Sequence, residues 1–91
     1  MDNFSHNNDD RRFELVVEGH LCYIEYTEDK PKVLSLNHTW VPETLRGQGA
    51  AGRLAHAVME WCRDNGVRII PVCPYLVTFL KRHPEWRVLE A

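Results

Sequence analysis

A mixed α/β domain, with a mostly antiparallel sheet, two main helices and the order β-β-β-α-β-α, is what this sequence predicts. Three observations carry that expectation. Phe13–Val41 holds short runs of Val, Leu, Ile, Tyr and Phe broken by turn residues, the mark of consecutive strands. Residues 47–65 then switch to helical spacing, and Arg68–Val72 is a short apolar run ahead of a second helical stretch.

At the start of the chain, residues 1–12 place one aromatic among polar and charged residues. Too little apolar surface is available to repay ordering, so a mobile tail is expected, with the domain proper spanning residues 13–91. Phe13–Glu18 and Leu21–Tyr26 flank Gly19-His20, a hairpin signal. Thr27–Pro31 is a turn by composition, and Pro31 cannot donate to a ladder. From Val33 to Val41 the pattern alternates, placing Leu34, Leu36, His38 and Trp40 on one face. Three antiparallel strands in succession is the simplest arrangement.

Within residues 47–65, Ala51, Leu54, Ala55, Val58 and Cys62 form one stripe, and Arg53, His56, Glu60 and Arg63 lie opposite it. Asn65-Gly66 supplies a left-handed stop. Arg68–Val72, apolar after its first residue, reads as a central strand. Pro74–Arg82 reads as a helix stopped by His83-Pro84, and Trp86–Leu89 could add a last short strand.

Composition bounds the function. Ninety-one residues, 44% of them hydrophobic, make one domain able to form a core. The net charge of −2 gives no basic surplus for nucleic acid. No apolar run approaches the roughly 20 residues of a membrane span, and no signal core follows Met1, so a cytoplasmic protein is expected. Three cysteines, Cys22, Cys62 and Cys73, are an odd number without paired metal spacing, and the histidines are scattered. Neither a structural disulfide nor a metal site is expected.

The chemistry concentrates where the strand pattern meets the first helix. Gly47, Gly49 and Gly52, flanked by Arg46 and Arg53, would let a ligand approach the backbone. A helix opening there offers free N–H groups and a positive dipole end to an anion, which points to a phosphate-bearing ligand. A tight turn that needs glycine only for packing is the plainer alternative. Gly47–Gly52 also satisfies G-x-G-x-x-G, but the next strand ends in Cys73 instead of a carboxylate, which excludes a dinucleotide fold. As a Walker loop it lacks the lysine, replaced by Arg53, and the hydroxyl, replaced by Leu54.

Arg46-Gly47-Gln48-Gly49-Ala50-Ala51 fits [Gln/Arg]-x-x-Gly-x-[Gly/Ala]. With His38-Thr-Trp-Val-Pro-Glu-Thr-Leu-Arg-Gly-Gln-Gly upstream, and Ile70-Pro-Val-Cys-Pro-Tyr and His83-Pro-Glu-Trp downstream, the chain from about Phe13 to Leu89 resembles the minimal, single-domain branch of the GNAT superfamily of N-acetyltransferases. Ala51 stands where glycine is commoner. The resemblance implies a GNAT core stripped of its early helices. It also implies acetyl-CoA as donor, a primary amine of unknown identity as acceptor, and pyrophosphate on the amides of residues 47–52. The pantetheine arm would pair with the strand at Trp40 and Val41, and Arg46 and Arg53 would pair with phosphates or remain solvated helix charges.

Two residues are candidate catalytic groups, each with an ordinary alternative. Cys73 lies where a strand hands over to a helix, with Pro74 suited to its first position. It is either a reactive helix-terminal thiol or a small apolar plug; the family's Pro-x-Cys-Pro motif implies catalysis. His38 is either a hydrogen-bonded core histidine or, as the family's His-Thr-x-Val motif implies, the base that takes a proton from an ammonium substrate. Direct attack by the amine and an acyl-Cys73 intermediate are both open. Cys22 and Cys62 read as packing, and His83 as a helix-end residue. An acyl-CoA-binding module without efficient catalysis, or an interaction domain using Trp61, Trp86 and Tyr75, are the rival functions.

Overall fold

Alternation builds the sheet. In the computed structural model, which describes residues 2–91, Phe13, Leu15 and Val17 of β2 (Arg12–Val17) point into the core. Cys22, Ile24 and Tyr26 of β3 (His20–Lys30) do the same. Between the two strands, Glu18 and Gly19 both take positive φ, at 50° and 78°, the two-residue turn whose twist matches a hairpin. β4 (Val33–Trp40) pairs antiparallel with β3. Their connection is tighter than the expected Thr27–Pro31 turn: β3 runs on to Lys30, and only Pro31 and Lys32 turn, Lys32 with φ 66°.

The amino-terminal residues do not form the expected tail. Asn3–Asn7 is an edge strand, β1, antiparallel to β2. Phe4 and His6 face the core side, the His6 ring stacked on Phe13 at 4.7 Å. Asn7 and Asp10 close the hairpin: the Asp10 amide donates to Asn7 Oδ1 at 3.0 Å. Beside the one aromatic of this segment, the His6 imidazole also packs its ring against the core, and polar residues suit the outer face of an edge strand.

Helix α1 (Ala50–Asp64) packs its buried stripe, Ala50, Leu54, Ala55, Val58, Met59 and Cys62, on the sheet. It ends as the Asn65-Gly66 signal predicts: Gly66 has φ 66°, and the Val67 amide reaches back to the Cys62 carbonyl at 2.8 Å. β5 (Arg68–Pro71) lies parallel to β4, completing a five-stranded sheet in the order β1-β2-β3-β4-β5. Contrary to expectation it is an edge strand, and its Ile70 is exposed. A parallel strand is apolar when helices cover both faces; here α1 and α2 (Pro74–Arg82) share the core cluster on one face.

After α2, Pro84–Leu89 is a 3-10 turn in place of the expected strand. Strand-like pairing comes one residue later, as a parallel bridge between Glu90 and Ile69. No described helix is long and apolar enough to cross a membrane. The opposite face of the sheet, carrying Arg12, Glu14, Tyr23, Glu25, His38 and Trp40, is at least partly exposed.

Candidate functional site

The site begins where two parallel strands part. β4 and β5 pair as far as Leu36 and Pro71. Just beyond, the amides of Val72 and Cys73 both donate to the Leu36 carbonyl, at 3.1 and 3.0 Å. The chain then turns into α2, while β4 runs on to Trp40. Among the described residues no strand pairs with this edge of β4 past Leu36. A wedge-shaped opening results, with an unpaired strand edge along one side.

That edge leads to the glycine loop. Val41 and Pro42 enter a 3-10 turn, Glu43–Leu45, anchored by buried Leu45. Gly47 and Gly49 follow with φ of 82° and 79°, a backbone that a side chain would strain. The loop delays the helix, which starts at Ala50 instead of Gly47, with Gly49 as its cap. Its first backbone bond runs from the Arg53 amide to the Gly49 carbonyl at 3.1 Å. The amides of Gly49, Ala50, Ala51 and Gly52 therefore have no acceptor among the described residues, an arrangement at the positive end of a helix that suits an anion. Gln48 is committed elsewhere: its amide donates to Leu45 and its side chain to the Thr44 carbonyl.

The flanking arginines already have partners. Arg46 Nε donates to the Val41 carbonyl at 3.1 Å, and its guanidinium lies over the Trp40 ring at 5.5 Å. Arg53 is paired with Asp2 at 2.7 Å and also reaches the Gln48 carbonyl at 3.3 Å.

Cys73 caps α2, and its Sγ lies 3.5 Å from Thr39 Oγ1 across the wedge. Burial would push this thiol up, but its hydrogen bond with Thr39 and the amides of Leu76, Tyr75 and Thr39 outweigh that and hold it below its ordinary range. The other two cysteines differ. Cys62 is pushed up to about 12 by burial, and Cys22 is raised for the same reason; both are free thiols in the core.

His38 does not share a face with Leu34 and Leu36. A bulge lies between Glu25/His38 and Tyr26/Leu36, leaving Asn37 as the extra residue on β4. One inserted residue reverses the alternation beyond it. Thr39, opposite core residue Ile24, faces the helices, while His38, opposite Glu25, lies exposed on the open face with Trp40. The wedge thus has Cys73 and Thr39 on one side of the sheet plane and His38 on the other.

Thr39 and Tyr75 are the residues that sequence reasoning left unassigned at this site. A Cβ built on Gly52 would come 3.8 Å from the Tyr75 hydroxyl, so α2 leans over the start of α1 there. Tyr75 stands two places after Cys73 in Cys-Pro-Tyr, the one local signal that could have marked it. Thr39 had a local signal in its place within His-Thr-x-Val, but the face it takes depends on the bulge formed in pairing with β3.

Residues 12–89 match the family described as GCN5-related N-acetyl-transferase. The protein NATD1 of Bos taurus is 30% identical over 87 residues, spanning 91% of this chain and 77% of that protein. NATD1 of Danio rerio is also 30% identical, spanning 93% of this chain and 79% of its own length. The solution structure of a GCN5-like protein from Staphylococcus aureus shares the fold, with a TM-score of 0.74 at 23% identity. That match covers 98% of this chain and 87% of the other.

Proposed function

This chain belongs to the GCN5-related N-acetyltransferase family, and we propose that it moves an acetyl group from acetyl-CoA to a primary amine. The observation that carries this reading is the continuity of the wedge with the helix terminus. An unpaired edge of β4 leads from the splay at Leu36 and Pro71 to the four free amides of Gly49–Gly52. Such an edge suits an extended amide-bearing arm, which can pair with it as an added strand. The free amides suit a pyrophosphate. Trp40 and Val41 lie along the path between them, and the positive φ of Gly47 and Gly49 turns the loop to expose the amides.

When bound, acetyl-CoA supplies an activated carbonyl and a thiolate leaving group. The chain's own contribution is to manage protons from both sides of the sheet plane. On the open face, His38 accepts a proton from the incoming ammonium, leaving a nitrogen lone pair free to form the new N–C bond. On the helix face, Cys73 donates its proton to the departing sulfur as the C–S bond breaks; the acylated nitrogen sheds its second proton to solvent, and Cys73 recovers one from solvent. A thiol held below its ordinary range gives its proton to an unperturbed thiolate downhill. Separation of base and acid onto opposite faces favours direct transfer over an acyl-Cys73 intermediate, which would need the base beside the thiol.

One observation favours a second reading, an acyl-CoA-binding module without efficient catalysis. His38 and Trp40 are exposed, so the acceptor side of the wedge has no wall to orient an amine. Turnover of acetyl-CoA with a panel of primary amines separates the two readings.

Calorimetric titration with acetyl-CoA and CoA, alongside Gly49→Trp, tests the cofactor assignment. Micromolar binding that disappears in the variant is the expected result. Equal affinity in a folded variant would remove the pyrophosphate from residues 47–52.

A further inference from the structure

Far from the wedge, beneath the carboxyl end of α1, lies a cavity of about 180 Å³ for which acetyl transfer has no use. Its walls are His6 of β1, Tyr26 of β3, Leu34 of β4, Trp61 of α1 and Val67, with Glu28 and Lys32 also lining it. Trp61 follows Ala50 by eleven residues, so the cavity is about 16 Å along the helix from the amide cluster. On β4, Leu34 precedes Thr39 by five residues, again about 16 Å. A ligand held here is out of reach of the transfer chemistry.

Two properties define what would fit. The first is aromatic. The His6 ring sits between Tyr26 and Trp61, with centroids 5.6 and 4.5 Å away. Tyr26 and Leu34 are each only 5% exposed, so the floor is built by the core and does not depend on surface side chains. A cavity of about 150 Å³ accommodates one benzene ring, so this one has room for a single ring and a short arm.

The second property is charge. Glu28 has no ion-pair partner among the described residues, and accepts only a long bond from the Lys32 amide at 3.4 Å. The nearby Lys32 ammonium is turned to the Asn65 carbonyl at 3.1 Å, where it caps the negative end of the α1 dipole. An unpaired carboxylate beside tyrosine and tryptophan rings attracts a cation.

We propose that this cavity is a second ligand site, for a single-ring arylalkylammonium compound. The ring would lie against Trp61, Tyr26 and His6, and the ammonium would meet Glu28. The proposal does not depend on the acetyl-transfer reading.

Three probes distinguish ring from charge: 2-phenylethylamine, 3-phenylpropionate with the same ring and opposite charge, and butylamine with the charge alone. Each is titrated into the full chain and followed by ¹H–¹⁵N NMR. Millimolar phenylethylamine should shift the Trp61 indole and the amides of His6, Glu28 and Val67, leaving the Trp40 indole and Cys73 amide in place. The other two probes should not reproduce those shifts. Exposed Glu28 can be replaced without touching the core, and Glu28→Gln should weaken binding about fivefold. Silence at Trp61, shifts confined to Trp40 and Cys73, equal response to all three probes, or unchanged affinity in Glu28→Gln would each overturn the proposal.

Discussion

Thr39 and Cys73, 34 residues apart in sequence, meet with Oγ1 and Sγ 3.5 Å apart across the gap between β4 and the start of α2. The contact ties together the two walls of the wedge. It also opposes the burial that would otherwise raise the thiol. Electrostatics and architecture therefore depend on the same pair.

Removing the hydroxyl should separate these effects. In Thr39→Val the thiol loses its side-chain partner, so its pKa rises toward what burial alone would set. The pH at which iodoacetamide modifies Cys73 should move upward. Cys22 and Cys62 are both raised by burial, so they contribute little to that reaction. An unmoved profile would show that the backbone amides alone hold the thiol down. Cys73→Ala should slow turnover at least about tenfold, or 1.4 kcal/mol of barrier. Full activity in that variant would return Cys73 to a packing role.

His38 is exposed and makes no contact that the fold needs, so His38→Gln should leave thermal stability and CoA affinity unchanged. Turnover should fall by about a hundredfold, the ordinary contribution of a positioned base. A variant with full kcat would assign proton removal to solvent.

Asp2, paired with Arg53 at 2.7 Å, would compete with a phosphate for that guanidinium. Their exposed ion pair is worth at most about 1 kcal/mol, so Asp2→Asn should tighten CoA binding by no more than about fivefold. Arg53→Ala should weaken it. If neither substitution alters affinity in calorimetry, Arg53 is a helix-surface charge and the amides carry the pyrophosphate alone.

His6 couples β1 to pH. Burial lowers its pKa, so just below the ordinary histidine value of about 6.5 the unfolded chain binds more protons than the folded one. Stability is therefore full above that value, and is lost as pH falls through the depressed folded pKa. Denaturation midpoints followed by tryptophan fluorescence should decline across this window. His6→Phe should flatten that decline. A slope surviving in the variant would locate the acid-sensitive group elsewhere.

Much of this protein was legible in its residues, because the governing interactions are local. Period-two alternation in Phe13–Val17 and Cys22–Tyr26 marked the sheet's buried face. Helical spacing in Leu54–Cys62 marked the stripe of α1, and Asn65-Gly66 its end. The glycines at 47 and 49 announced an exposed backbone, since only positive φ makes glycine necessary there. These depend on neighbours a few positions away, so sequence alone determined them. Tertiary structure decided the rest. Whether residues 3–7 become a strand depends on β2 offering an edge and on Phe13 offering a ring for His6. β5 lies at the edge because, among the described residues, only the single Glu90 bridge meets its outer side, something an apolar run cannot reveal. The bulge at Asn37 arises from register against β3, and it alone turns His38 away from Cys73 and puts Thr39 in its place. Which side chains share a site is fixed by pairing between strands, and pairing is a long-range choice that no single stretch of chain encodes.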